Sequence, residues 1–131
     1  MKFHHFGLLS SNPQGSCQVL VNLGYDVSGP IEDPLQKVRA WWGSHSTLPC
    51  VEIISPTETT GAVSNLAKKI QQGVYHVCFE VSDAQAFIDQ VGGSSRVLLV
   101  SPPKPAVLFQ NRLISFYFVD SFGLVELLEP E

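Results

Sequence analysis

The sequence predicts an α+β fold made of two tandem copies of one βαβββ unit. Three observations predict it. The order of strand-like and helix-like segments recurs after about 70 residues. Each copy opens on the same pattern, Phe3-His4-His5-Phe6 in the first and Val74-Tyr75-His76-Val77 in the second. Each copy closes on Val-Glu-apolar-apolar-X-Pro, as Val51-Glu52-Ile53-Ile54-Ser55-Pro56 and again as Val125-Glu126-Leu127-Leu128-Glu129-Pro130.

Residues 3–9 read as the opening strand. Ser10-Ser11-Asn12-Pro13 then supplies a polar cap followed by proline at the first helical position, a helix start. Cys17, Leu20, Val21 and Leu23 are expected to form its apolar stripe, and Gly24 ends it. A short strand over 25–28 is expected to stop at Gly29-Pro30. Strands over 37–42 and 50–54 follow, with Gly43-Ser44-His45-Ser46 as the turn between them. A connector helix over 62–71 places Val63, Leu66, Ala67 and Ile70 on one face.

The order then repeats. A strand over 74–81 leads to Ser82-Asp83, which caps a helix ending at Val91, with Ala84, Phe87, Ile88 and Val91 as its apolar face. A strand over 96–100 is expected to break at Ser101-Pro102-Pro103, and Pro102-Pro103-Lys104-Pro105 is expected to be a stiff loop. Strands over 113–119 and 124–128 complete the copy, turning at Ser121-Phe122-Gly123. The expected organisation is a single domain over 1–131, with module one at 1–57, the connector at 58–72 and module two at 73–131.

Composition bounds what the chain can do. Its 131 residues fit one domain, and a chain this long buries roughly two-thirds of its unfolded surface without disulfide staples. A net charge of −4 argues against nucleic acid as a partner, since phosphate binding needs a basic face. No run of about 18 apolar residues exists, so no membrane span is expected. Cys17, Cys50 and Cys78 are odd in number and far apart, which suits a reducing compartment and predicts a cytoplasmic location.

Four residues carry the chemistry. Strand residues alternate faces. Val51 and Ile53 therefore share one face while Glu52 takes the other, and Val125, Leu127 and Glu126 repeat the arrangement. Likewise Tyr75, Val77 and Phe79 oppose His76, and His4, Phe6 and Leu8 oppose His5. With the apolar faces under helices, both glutamates and both histidines point into the concave side of a curved sheet. A lone histidine or glutamate in a strand is ordinarily a hydrogen-bonded or solvated side chain; the repetition is what favours ligands. Two buried carboxylates are costly unless paired or bound to a cation. Imidazole and carboxylate together suit one divalent ion of Zn, Ni, Co, Mn or Fe, held by His5, Glu52, His76 and Glu126.

These residues and the paired modules resemble the vicinal oxygen chelate superfamily, which includes glyoxalase I, methylmalonyl-CoA epimerase, extradiol dioxygenases and bleomycin-resistance proteins. The similarity is greatest to the epimerase and glyoxalase branch, through His4-His5-Phe6-Gly7, Tyr75-His76-Val77-Cys78-Phe79-Glu80-Val81 and Gly123-Leu124-Val125-Glu126-Leu127-Leu128. The resemblance implies a half-open mixed β-sheet barrel around a central cup, with the helices outside. It places the family's metal ligands on the same four residues. It also implies Lewis-acid stabilisation of an enediolate beside a carbonyl, with Glu52 or Glu126 as the base. Ala40 stands where epimerase-type members can place a further glutamate. Residues 6–10 lack the arginine of glutathione-binding members, so neither glutathione nor coenzyme A specificity is implied.

Trp42, Arg112 and Cys78 are candidate substrate-contacting residues: an aromatic wall, an anion clamp and a thiol on the His76 face. Each has an ordinary structural alternative, as core or interface ring, surface ion pair and small buried hydrophobe. His4 and His45 are not expected to be ligands. The leading function is a metal-dependent isomerase, epimerase or lyase acting on a small oxo acid, hemithioacetal or acyl thioester. The alternatives are a non-catalytic small-molecule binding or resistance protein and an Fe(II) dioxygenase, which a fourth ligand disfavours. Exposed strand edges and the resemblance favour a homodimer.

Overall fold

The computed structural model describes residues 1–131 and contains eight strands and three α-helices. In chain order they are β1 (Lys2–Leu9), α1 (Pro13–Asn22), β2 (Asp26–Asp33), β3 (Val38–Ser44), β4 (Cys50–Pro56) and α2 (Ala62–Ile70). The order resumes with β5 (Gly73–Glu80), α3 (Ala84–Gly92), β6 (Val97–Ala106), β7 (Arg112–Val119) and β8 (Gly123–Leu128). The fold is α+β, with the βαβββ order repeated as the sequence predicts. The chain divides into two compact units, His5–Tyr75 and His76–Glu131 joined by Met1–His4. The division falls inside both opening strands, immediately before His5 in β1 and immediately before His76 in β5.

In the unit containing His5–Tyr75 the strands lie in the order β2-β3-β4-β1. The β1–β4 ladder is parallel and the other two are antiparallel. The Asn12 side chain caps α1 by accepting a hydrogen bond from the Gly15 amide at 3.2 Å, and Pro13 begins the helix. Only the inner part of the expected stripe is buried. Leu20 packs with Tyr25 and Ile53, and Cys17 lies against them. Val21 and Leu23 are exposed, Leu23 because the helix has already ended there. Ile53, Val51, Leu8 and Trp41 complete the layer between helix and sheet, as their strand parity predicts. The Asp33 carboxylate closes the turn into β3 by accepting from the Leu35 and Gln36 amides, both at 3.1 Å.

The second unit repeats the plan, in the order β5-β8-β7-β6 with β5–β8 parallel. The Asp83 side chain caps α3 through the Gln85 amide at 2.9 Å. Phe87 from that helix packs on Tyr117, Val125 and Leu127, with Val77, Phe79 and Ile88 against them. Leu127 and Val125 are wholly buried.

Two expectations about strand ends are corrected. β2 does not stop at Gly29-Pro30 but continues to Asp33, its pairing to β3 shifting register between Ser28 and Ile31. β6 is not broken at Ser101-Pro102-Pro103, and the prolines are not a loop. The strand runs through them to Ala106, with register shifts between Leu99 and Ser101 and between Ser101 and Lys104. The physical reason is the same for both. Each strand ends its unit's order, where proline's missing N–H takes no bond from a ladder and bulges absorb the misfit. No helix is long and apolar enough to cross a membrane.

Candidate metal centre

The first unit brings His5 and Glu52 together. In the parallel β1–β4 ladder Glu52 pairs with Gly7, two residues beyond His5. Residues two apart share a strand face, so the imidazole and the carboxylate project to the same side. His5 Nε2 lies 3.3 Å from Glu52 Oε1. His5 is wholly buried and Glu52 is 5% exposed. On the other flank of β4, Trp42 pairs with Glu52 and sets its ring edge-to-face against His5, centroids 5.2 Å apart at 76°.

The second unit repeats the register. In the parallel β5–β8 ladder Glu126 pairs with Cys78, two residues beyond His76. His76 Nε2 lies 3.8 Å from Glu126 Oε2, both residues being nearly inaccessible. Phe116 pairs with Glu126 across β7–β8, and its ring meets His76 at 5.3 Å and 80°. Strand pattern alone does not single out Phe116. Its signal is a spacing: it precedes Glu126 by the same ten residues that separate Trp42 from Glu52.

A carboxylate taken out of water is expensive unless a cation or a hydrogen-bond donor faces it. Each unit nonetheless buries one imidazole and one carboxylate side by side. A nitrogen donor beside an oxygen donor is the set that borderline divalent ions accept, so the residues of each half fit a metal.

The remaining candidates are placed as follows. Cys78 is wholly buried beside Glu126. Ala40 is 2% exposed on the Trp42 face of β3, with no carboxylate at that point. Arg112 donates from Nε to the Glu129 carbonyl at 2.9 Å and pairs through Nη2 with Glu80 Oε2 at 3.1 Å. His4 packs edge-on to Phe109 at 5.4 Å. His45 caps its own turn, with Nδ1 accepting from the Thr47 and Leu48 amides at 3.0 Å each.

Three comparisons bear on this arrangement. Residues 4–106 match the family model described as the glyoxalase/bleomycin resistance protein/dioxygenase superfamily. A search of curated proteins finds no match. Among solved structures, methylmalonyl-CoA epimerase from Mycobacterium tuberculosis superposes with a TM-score of 0.77 at 16% identity, over 99% of this chain and 88% of that one. A hypothetical protein from Bacillus halodurans C-125 gives 0.79 at 18% identity, over 99% and 94%. A Streptomyces coelicolor methylmalonyl-CoA epimerase variant in complex with 2-nitronate-propionyl-CoA gives 0.76 at 19% identity, over 98% and 96%. At these identities the likeness is one of fold.

Proposed function

This chain belongs to the glyoxalase/bleomycin resistance protein/dioxygenase superfamily, and on that footing we propose that it is an epimerase-type or glyoxalase-type enzyme whose two His–Glu pairs hold one divalent cation. The ligands in this reading are His5, Glu52, His76 and Glu126. The observation that supports it best is the repeated register: in both units the glutamate stands opposite the residue two beyond the histidine. A single pair would pass as a structural contact. Two at matching positions are hard to explain by packing, because the surrounding residues differ.

Bound there, the ion would supply Lewis-acid stabilisation of negative charge developing on a substrate carbonyl or adjacent oxygen. The protein's own part is to take and return the proton beside that carbonyl, a task for Glu52 or Glu126. Burial of both glutamates keeps competing water away from the transferred proton. Trp42 and Cys78 would line the substrate's position. Arg112 would reach a substrate anion only by exchanging Glu80 for it, since the two are already in contact. The substrate class proposed is a small oxo acid, hemithioacetal or acyl thioester. The coenzyme A ligand named for the Streptomyces coelicolor relative is consistent with the last of these.

Ala40 favours a second reading, a binding protein without turnover, because no further carboxylate stands on that stretch of β3. A homodimer is also part of the proposal, since β6 ends its unit's order and exposes Leu98, Leu99 and Val100.

Metal analysis of the purified protein tests the centre, and exchange of the α-proton in deuterium oxide across a panel of those substrates tests the chemistry. About one ion per chain, lost in Glu52→Gln and in Glu126→Gln, is the expected result. Unchanged metal content in both variants would overturn the ligand assignment. Bound metal with no exchange on any substrate would favour the binding protein.

A further inference from the structure

The two units differ in almost every residue around their histidines, yet each sets an aromatic ring at the same point. Trp42 is the ladder partner of Glu52 and Phe116 is the ladder partner of Glu126. Directly opposed residues in an antiparallel ladder project to one face, so each ring shares the face of its carboxylate. Each ring also meets the imidazole of its own unit in nearly the same geometry, 5.2 Å and 76° for Trp42 against 5.3 Å and 80° for Phe116. Neither ring belongs to the apolar clusters around Ile53 and Leu127, which are built on the opposite faces of the same strands.

An imidazole coordinates through one directed lone pair, so its tilt matters to a bound ion. The electropositive edge of one ring against the electronegative face of another is a favoured and directional contact. A rigid ring at that distance also removes side-chain orientations that the histidine would otherwise sample, which lowers the ordering cost of binding. The carboxylate lies beside the imidazole nitrogen, and the aromatic ring restrains the imidazole from its flank.

We infer that Trp42 and Phe116 are a matched pair of positioning residues that set the orientation of His5 and His76 and so the affinity of the proposed centre for its cation. The inference rests on the metal reading and extends it to two side chains that ligate nothing. Because a phenyl ring does in the second unit what an indole does in the first, the requirement is a flat ring, and Trp42→Phe should preserve it.

The test is titration of cobalt(II) alone into the chelator-treated full chain, reading visible absorption and affinity by competition with a chelating dye. Trp42→Leu and Phe116→Leu should each weaken binding about tenfold, the scale for groups that orient a metal's histidines, and should alter the cobalt spectrum. Trp42→Phe should keep the parent affinity and spectrum. Trp41→Leu, a core change on the other face, should lower the melting temperature and leave cobalt affinity alone. Trp42→Met and Phe116→Met, whose flexible side chains adapt to the space left, repeat the test should the leucine variants fail to fold. Parental affinity in the Trp42 and Phe116 leucine or methionine variants would overturn the inference while leaving the metal reading intact. So would equal weakening in Trp42→Phe or Trp41→Leu. A parent protein that binds no cobalt would overturn both.

Discussion

Arg112 and Glu80 meet at 3.1 Å, where the first residue of β7 passes the last residue of β5. The hydrogen bond from Arg112 holds the Glu80 carboxyl below its ordinary value of 4.5; the charges of Arg112, His4 and Lys2 add to this, and partial desolvation opposes it. A carboxylate whose pKa is lowered by folding stabilises the fold above its ordinary pKa, and that contribution is lost as pH falls through the lowered value. Arg112→Gln should therefore cost roughly 1 kcal/mol or less at neutral pH, because the pair is partly exposed. The part of the deficit that comes from Glu80 should vanish in acid, leaving only that of the Nε bond to the Glu129 carbonyl. Urea unfolding of both proteins across a pH series measures it, and a deficit constant with pH would contradict the assignment.

Removing the cation should be felt as lost stability. A ligand at a hundred times its dissociation constant stabilises the folded state by about 2.7 kcal/mol. Chelation should lower the melting temperature of the parent protein and hardly move that of Glu52→Gln or Glu126→Gln. An equal response in parent and variants would show that the chelator acts elsewhere.

Ile53 and Leu127 occupy equivalent places, each one residue after its glutamate and each wholly buried against its unit's helix. Truncating either to alanine should cost about 2–5 kcal/mol, by lost apolar burial and an unfilled cavity. Denaturant unfolding checks the value, and a cost below 1 kcal/mol in either would mean that the site collapses freely.

Gly29 adopts φ +113°, and a Cβ there would lie 2.9 Å from the Ala40 carbonyl oxygen and 3.1 Å from the Trp41 Cα. Both obstacles are backbone and cannot swing aside. Gly29→Ala should destabilise by about 1–3 kcal/mol through strain and displacement of β3. A neutral result in thermal unfolding would show that β2 relaxes outward.

Much of this architecture is legible in the chain. Val51-Glu52-Ile53 and Val125-Glu126-Leu127 announce strands with one buried apolar face and a carboxylate on the other, and the ladders place them so. Asn12-Pro13 and Asp83 mark helix starts by hydrogen bonds that their side chains do make. The strands containing Pro30 and Pro102–Pro103 run past their expected stops for a definite reason. Proline removes an amide wherever it stands, but whether that amide was needed depends on which strand lies beside it, and edge position is a property of the assembled sheet. Phe116 was missed because an aromatic residue in an apolar strand looks like core until its partner across the ladder is known.

The division of the chain inside β1 and β5 bears on how the molecule could be cut apart. Residues 2–4 group with 76–131, and residues 73–75 group with the half that precedes them. Severing the polypeptide at the connector would yield two fragments, each bearing a short stretch that packs with the other's sequence. During synthesis residues 2–4 leave the ribosome long before the segment they join. Residues 2–4 can thus reach their place only after the segment 76–131 has been made.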